Sequence, residues 1–351
     1  MKIHKILAVT VLVLLLVSCG NTSEEGKDLF SIVIKNQKKG YTTSDTVLVL
    51  LDNKTNKAID SVVYALNSKR AASSKKNSEV SLSLASQKLG KRTISATVYS
   101  DGNTYSVKNN IILLASKKPK LYTYKVLETY PHDIEAYTQG LEFENDVLYE
   151  STGRYKYSSL RKTDIKTGEV LENIALADSY FGEGLTILND KIYQLTWQEK
   201  TGFIYNLSNL KKTGSFVYGK SKEGWGLCND GTTIFKSDGT EKIWSLNPDN
   251  LAEESHIELY TNTSKIPRVN ELEWVDGKIY ANIYERDAVA IVNPSNGAVE
   301  GVIDFSDLKD KVTQHDALNV LNGIAYNGET NILYITGKNW DKLFKVEVVE
   351  K

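Results

Sequence analysis

Cysteine occurs only twice in these 351 residues, at positions 19 and 228, and histidine only four times. Cys19 closes an N-terminal signal, so Cys228 stands alone and no intramolecular disulfide is available to hold the fold. Three histidines remain beyond that signal, His132, His256 and His315, and neither HExxH nor CxxC is present. A zinc site has little to build it. There is no G-x-S-x-G and no P-loop, which sets aside the common serine-hydrolase and nucleotide-binding motifs. Charge of one sign is lacking too: 43 basic residues face 44 acidic ones, and losing residues 1–18 leaves 41 against 44. Such a balance argues against nucleic acid as a partner. The chain has no apolar run of the roughly 20 residues that span a bilayer.

What the N-terminus does have is Lys2 and Lys5 ahead of a mostly apolar run from Ile6 to Val17, ending in Leu16-Val17-Ser18-Cys19. A basic start followed by a short apolar run reads as a signal peptide, residues 1–18. Its end resembles a bacterial lipobox, making Cys19 the lipidated first residue of a mature protein held on a membrane of the bacterial cell envelope, with its domains outside the cytoplasm. Residues 19–27 then read as the lipidated cysteine and a polar tether. From 28 to 118, strand-like runs (FSIVI, TVLVLL, SVVYAL, VSLSLA, RTISATVY, NIILLA) alternate with polar turns, the pattern of a small immunoglobulin-like β-sandwich. The basic stretch Ser68 to Lys76 reads as a solvated loop within it.

Residues 119–351 carry an internal repeat. YTQGLEF, FGEGLTI, EGWGLCN, RVNELEW and VLNGIAY align at Gln139, Glu183, Trp225, Asn270 and Asn322. Each is followed by a second strand opening at Leu148, Ile192, Ile234, Ile279 or Leu333, with spacings of 44, 42, 45 and 54 residues. That interval is expected of four-stranded propeller blades, so the fold class is all-β, a five-bladed β-propeller preceded by the sandwich. The last repeat supplies three strands, and the early strand LYTYKVLETY is expected to complete it and close the ring. First strands line the channel of a propeller, so the five aligned positions converge. Five residues into the second strands come Gly153, Trp197, Gly239, Tyr284 and Lys338, which share the channel mouth in this reading.

YPHDIEAYTQGLEF, YFGEGLTIL, LTWQE, EGWGL, VNELEWVDGKIYANI and LNGIAYN…LYITGKNW resemble, in order, the motifs of the plant and bacterial type of glutaminyl-peptide cyclotransferase, a five-bladed propeller. The resemblance runs from about Tyr130 to the end. It implies conversion of the N-terminal glutamine of peptides or proteins to pyroglutamate with release of ammonia, independent of zinc. It places the essential glutamate at Glu183, and pocket aromatics at Trp197, Trp225 and Tyr284, the last a departure from tryptophan. Polar groups holding the glutamine fall on Gln139, Asn270 and Lys338, with aromatic lining from Tyr137 and Phe181, while Asn322 completes the channel set. Glu183, Lys338 and Asn270 are the expected catalytic groups. Lys338 either stabilises an oxyanion or pairs with Glu183 and sets its protonation. No cofactor is required for this chemistry; a structural calcium ion in the channel is left open, and the protein is expected to be a monomer. Two rival readings are a non-catalytic propeller binding a peptide, a glycan or a partner protein, and a sugar-cleaving propeller, which needs a second acid. His132-Asp133 and His315-Asp316 read as loop braces.

Overall fold

The computed structural model describes residues 24–247 and 249–351. The Cys19 lipidation and the signal peptide lie outside the described residues. The fold is all-β: among the described residues the only helical turn is the three-residue 3-10 segment Lys309–Lys311. Two compact units divide the chain.

The smaller unit comprises the described residues up to 36 together with 47–82 and 93–109. Its strands fall into two sheets, one of five strands and one of three. The three-stranded sheet holds Phe30–Ile34, Thr46–Asn53 and Val80–Ser83. Side chains in Thr46–Asn53 and Ser61–Leu66 alternate between buried and more exposed, the period of two that gives each strand one apolar face. Phe30 meets Tyr105 of the other sheet at 5.5 Å between ring centroids. Contrary to expectation, the basic stretch after Ser68 is not a loop. Lys69–Lys75 is an edge strand paired antiparallel to Ser61–Leu66. Backbone ladder bonds need no side-chain burial, and exposed lysine and arginine on an edge discourage pairing with other chains.

The larger unit holds residues 37–46, 83–92 and 110–351. Three consecutive four-stranded antiparallel sheets begin with Thr138–Glu144, Gly182–Leu188 and Leu227–Asn229. The remaining strands join in one eight-stranded sheet, in which Val269–Val275 and Leu321–Ala325 lie at the two edges. At its centre, Lys120–Pro131 runs antiparallel to Lys342–Glu350, from Lys342 opposite Pro131 to Glu350 opposite Tyr122. The strand that precedes the repeats is thereby zipped to the last strand after them.

The first strands of the repeats are neighbours in a closed circuit. Thr138–Glu144 lies beside Gly182–Leu188, that beside Leu227–Asn229, and so on through Val269–Val275 to Leu321–Ala325, which returns to Thr138–Glu144. Glycine permits this approach: a Cβ at Gly140 would stand 2.5 Å from the Leu185 nitrogen, and one at Gly184 2.6 Å from the Gly226 Cα. Carboxylates, half-buried at Glu142 and buried at Glu271 and Glu273, then tie neighbouring strands together. Glu142 accepts from Ile187 N at 3.1 Å, Glu271 from Ile324 N at 3.1 Å and Glu273 from Tyr326 N at 2.7 Å. Outside this circuit, Leu148, Ile192, Ile234, Ile279 and Leu333 are all core residues. The cores between successive sheets are aliphatic and aromatic; Trp340, fully buried, anchors the last of them.

Candidate active site

Each aligned position sits where its ladder is broken. Pairing shifts register between Thr138 and Gly140, between Gly182 and Leu185, between Val269 and Leu272, and between Leu321 and Ile324. Trp225 lies just before its strand begins. A bulged residue leaves the alternation and its side chain is re-aimed. Gln139, Glu183, Asn270 and Asn322 are therefore presented from irregular backbone held between regular strands. All four are buried.

The base of the site is a short polar relay. Asn322 Nδ2 donates to Thr138 O at 2.9 Å and to Gln139 Oε1 at 3.3 Å, and Gln139 Nε2 donates to Glu183 Oε1 at 2.9 Å. Asn322 thus orients the Gln139 amide, and Gln139 orients the carboxylate. Ser151 Oγ donates to the Glu183 carbonyl and itself accepts from Gln194 at 2.8 Å, fixing the backbone of the bulge. The other carboxylate oxygen, Glu183 Oε2, is buried without a partner, as are Asn270 Oδ1 and Asn322 Oδ1. Unpaired buried acceptors are costly and rare, and are expected where a ligand supplies the donors.

The second set of positions falls at the ends of the second strands. Gly153, Trp197, Tyr284 and Lys338 each follow directly on a strand end. Their backbone nitrogens donate to the carbonyls of Tyr137, Phe181, Arg268 and Val320, each two residues before a bulged position. One backbone contact, repeated four times, sets the depth of the mouth. Around the mouth stand half-buried aromatics: Phe181 lies 6.2 Å from Tyr137 and 5.6 Å from Trp197 between centroids, and Trp225 lies 5.5 Å edge-on to Tyr284. The buried Lys338 Nζ stands 4.7 Å from the Tyr137 ring centre and 5.3 Å from that of Tyr284. At Gly153 there is no room for a side chain, because a Cβ would meet the Phe181 ring and Gln139 Cγ.

The two tryptophans share an anchor that sequence reasoning missed. Glu223 Oε2 accepts from Trp197 Nε1 at 2.9 Å and from Trp225 Nε1 at 2.8 Å. Its loop is braced by a buried ion pair, Lys236 to Glu253 at 3.0 Å, with Lys236 Nζ also donating to Glu223 O at 2.8 Å and Glu253 accepting from Ser221 N at 2.7 Å. A signal was present, for Glu223 stands two residues before Trp225, the repeat position that Tyr137 and Phe181 occupy before Gln139 and Glu183. His132 and His315 do not bond their neighbouring aspartates. His132 Nδ1 meets Trp340 O at 2.8 Å and His315 Nε2 meets Asn339 O at 2.9 Å, so both brace the turn that follows Lys338.

Residues 94–348 match the family described as Glutamine cyclotransferase. The chain is 39% identical over 228 residues to the glutaminyl-peptide cyclotransferase of Arabidopsis thaliana, covering 64% of this chain and 71% of that one. It is also similar to the crystal structure of Myxococcus xanthus glutaminyl cyclase, at a TM-score of 0.61 and 32% identity, over 67% of this chain and 100% of that one. The chain belongs to the glutamine cyclotransferase family. In this cyclotransferase the electrostatics centre on two groups. Burial pushes the Glu183 carboxyl well above the usual range, while Lys338 pulls it back and Glu223 and Glu199 add to the rise. Burial likewise lowers Lys338 to about 8, and Glu183 opposes that shift. Each group's charge favours the charged form of the other, against the burial that disfavours both.

Proposed function

We propose that this glutamine cyclotransferase converts the N-terminal glutamine of peptides or proteins to pyroglutamate with release of ammonia, and that Glu183 shuttles the proton. The observation that carries the reading is the free, buried Glu183 Oε2 beside an oxygen already held by Gln139. In the reaction the α-amine nitrogen attacks the side-chain amide carbon, forming the ring C–N bond. Glu183 Oε2 takes the proton that the attacking nitrogen sheds. It then delivers that proton to the amide nitrogen as the bond from the amide carbon to that nitrogen breaks, and ammonia leaves. The carboxylate ends as it began, so one group serves as base and acid, worth about 10²- to 10⁴-fold.

Asn270 Oδ1, also unpartnered, is suited to accept from the α-amine or the amide and hold it on line. Lys338 faces the charge that develops on the amide oxygen as the tetrahedral species forms. The aromatic wall of Tyr137, Phe181, Trp197, Trp225 and Tyr284 curls the glutamine side chain and excludes water. Because nucleophile and electrophile belong to one residue, orientation carries much of the rate, with effective molarities of about 10⁵ to 10⁸ M for well-aligned intramolecular reactions. Among the described residues no three acidic, histidine or cysteine groups converge for a metal, and Glu142, Glu271 and Glu273 already serve backbone N–H groups.

We further read the larger unit as a five-bladed propeller, supported by the circuit of five first strands and the pairing of the early strand with the last one. The two sheets of the smaller unit, with their alternating burial, support an immunoglobulin-like sandwich. Attachment to the envelope membrane through Cys19 and a monomeric state complete the proposal. The activity is tested by ammonia release from a peptide beginning with glutamine, by wild type, by Glu183→Gln and after chelator treatment. Release that survives chelation and disappears in Glu183→Gln supports the mechanism; release that persists in Glu183→Gln removes the shuttle.

A further inference from the structure

Beside the catalytic mouth lies a second cavity of about 510 Å³, bounded by Tyr137, Gly153, Arg154, Arg161, His315 and Asn339. It shares Tyr137 and Gly153 with the glutamine site. Arg154 is the feature of interest. Its guanidinium lies 4.6 Å from the centre of the Tyr137 ring, the same ring that Lys338 contacts, and donates to Asn339 Oδ1 at 2.9 Å. Its backbone has φ of 88°, in the region that disfavours a long side chain. That conformation is held from both sides: Arg154 O accepts from Tyr157 N at 3.0 Å and from Ser158 Oγ at 2.7 Å. The adjacent Tyr155 is fixed by Glu199 at 2.8 Å and by Phe181 at 5.4 Å between rings. A non-glycine residue in this region costs about 1–3 kcal/mol and persists only where its surroundings hold it.

Two arginines and one carboxylate line the cavity. Arg161 is neutralised by Asp133 at 2.6 Å, and His315 is committed to Asn339 O. Glu135, also on the wall, is exposed. Arg154 has no ion-pair partner among the described residues, only an amide oxygen, so its charge is turned toward the cavity uncompensated. With the glutamine side chain in the aromatic pocket, the peptide must continue outward past its rim, and Tyr137 is where rim and cavity meet.

Resting on the cyclotransferase reading above, we propose that this cavity is the subsite for the residue after the glutamine and that Arg154 selects an anionic group there. A carboxylate reaches it from either of two sources, an acidic second side chain or the terminal carboxylate of a dipeptide. The guanidinium, stacked on Tyr137, is pre-set to receive either with paired N–H donors.

The test measures kcat/KM on two sets of substrates with purified enzyme. The first set is Gln-Glu-Ala-amide, Gln-Ala-Ala-amide and Gln-Lys-Ala-amide; the second is Gln-Ala and Gln-Ala-amide. A partly exposed arginine–carboxylate contact predicts roughly a 3- to 10-fold preference for glutamate over lysine, or for the free dipeptide over its amide, weakening with added salt. Arg154→Gln should bring the ratio to near one, and Arg154→Lys should keep part of it. Preference in the first set alone identifies the side chain as the source; preference in the second set alone identifies the terminal carboxylate. Wild type with no preference in either set, or a preference that survives Arg154→Gln in protein of unchanged thermal midpoint, overturns the assignment. Failure to release ammonia from any of the five substrates would instead overturn the activity itself and the subsite with it.

Discussion

One oxygen, Glu223 Oε2, accepts hydrogen bonds from both Trp197 and Trp225, at 2.9 and 2.8 Å. The two indoles approach the pocket from different strands, and their relative angle is set at this atom. Removing it in Glu223→Ala should lower kcat/KM about 10- to 100-fold, the cost of misplacing groups that orient a substrate. Glu223→Gln keeps a carbonyl acceptor and should lose less. Steady-state ammonia release checks the rates and tryptophan emission checks the cause. An alanine variant with wild-type kinetics and an unchanged spectrum would show that packing alone holds the rings.

The opposed shifts of Glu183 and Lys338 make the rate pH-dependent at both ends. Glu183 must be ionised to accept a proton, so activity should rise as pH climbs through its raised value. Lys338 must be charged to stabilise the oxyanion, so activity should fall above about 8. The substrate amine titrates near this window too, at about 7.7–8.0, and only a comparison between variants isolates the enzyme groups. Lys338→Met removes the cation that lowers Glu183, so its acidic limb should move to higher pH. An unmoved limb would mean that the amine, not Glu183, governs it.

Glu142 should make the fold less stable in base. Burial raises it from 4.5 to about 8, so the folded state holds a proton that the unfolded chain releases. Its contribution is complete below about 4.5, declines as pH rises, and is gone once pH passes about 8. The urea midpoint should therefore be lower at pH 9 than at pH 5. Glu142→Gln, which still accepts from Ile187 N, should flatten that slope. A slope equal to wild type would place the linkage on other groups.

Gly184→Ala should destabilise the larger unit. The added methyl meets backbone of the next first strand, which cannot swing aside as a side chain would. A loss of about 1–3 kcal/mol is expected for such overpacking, read as a fall in the denaturation midpoint. Since Gly184 follows Glu183, activity should drop as well. A variant of unchanged stability would show that neighbouring strands can separate at no cost.

Much of this was legible in the sequence because the repeat carries its own alignment. The five second-strand openers all prove to be core, and Trp197, Tyr284 and Lys338 each follow directly on the end of a second strand. Glu183, Gln139 and Asn322 are joined by hydrogen bonds as neighbours in one site. What escaped depends on breaks in regular geometry or on distant partners. Glu271 directly follows Asn270, so strict alternation would point the two to opposite faces, yet both are buried where the bulge between Val269 and Leu272 breaks the period of two. Glu223 stands at the repeat position of Tyr137 and Phe181, but its residue type breaks their aromatic pattern and one of its indoles lies 26 residues away. The strand Lys69–Lys75 lacks an apolar face, and only its ladder partner reveals it. The strain at Arg154 is a backbone property that residue type does not announce.

The bulges have a bearing on how this scaffold can change. A residue that sits outside its ladder makes no demand on strand pairing, so the choice of its side chain is governed by the buried polar relay it joins. Positions 139, 183, 270 and 322 hold the polar groups of the pocket, while Leu148, Ile192, Ile279 and Leu333 support the frame. Changing what the pocket does while keeping the frame therefore means exchanging these four as a set whose buried groups still find partners, not one at a time.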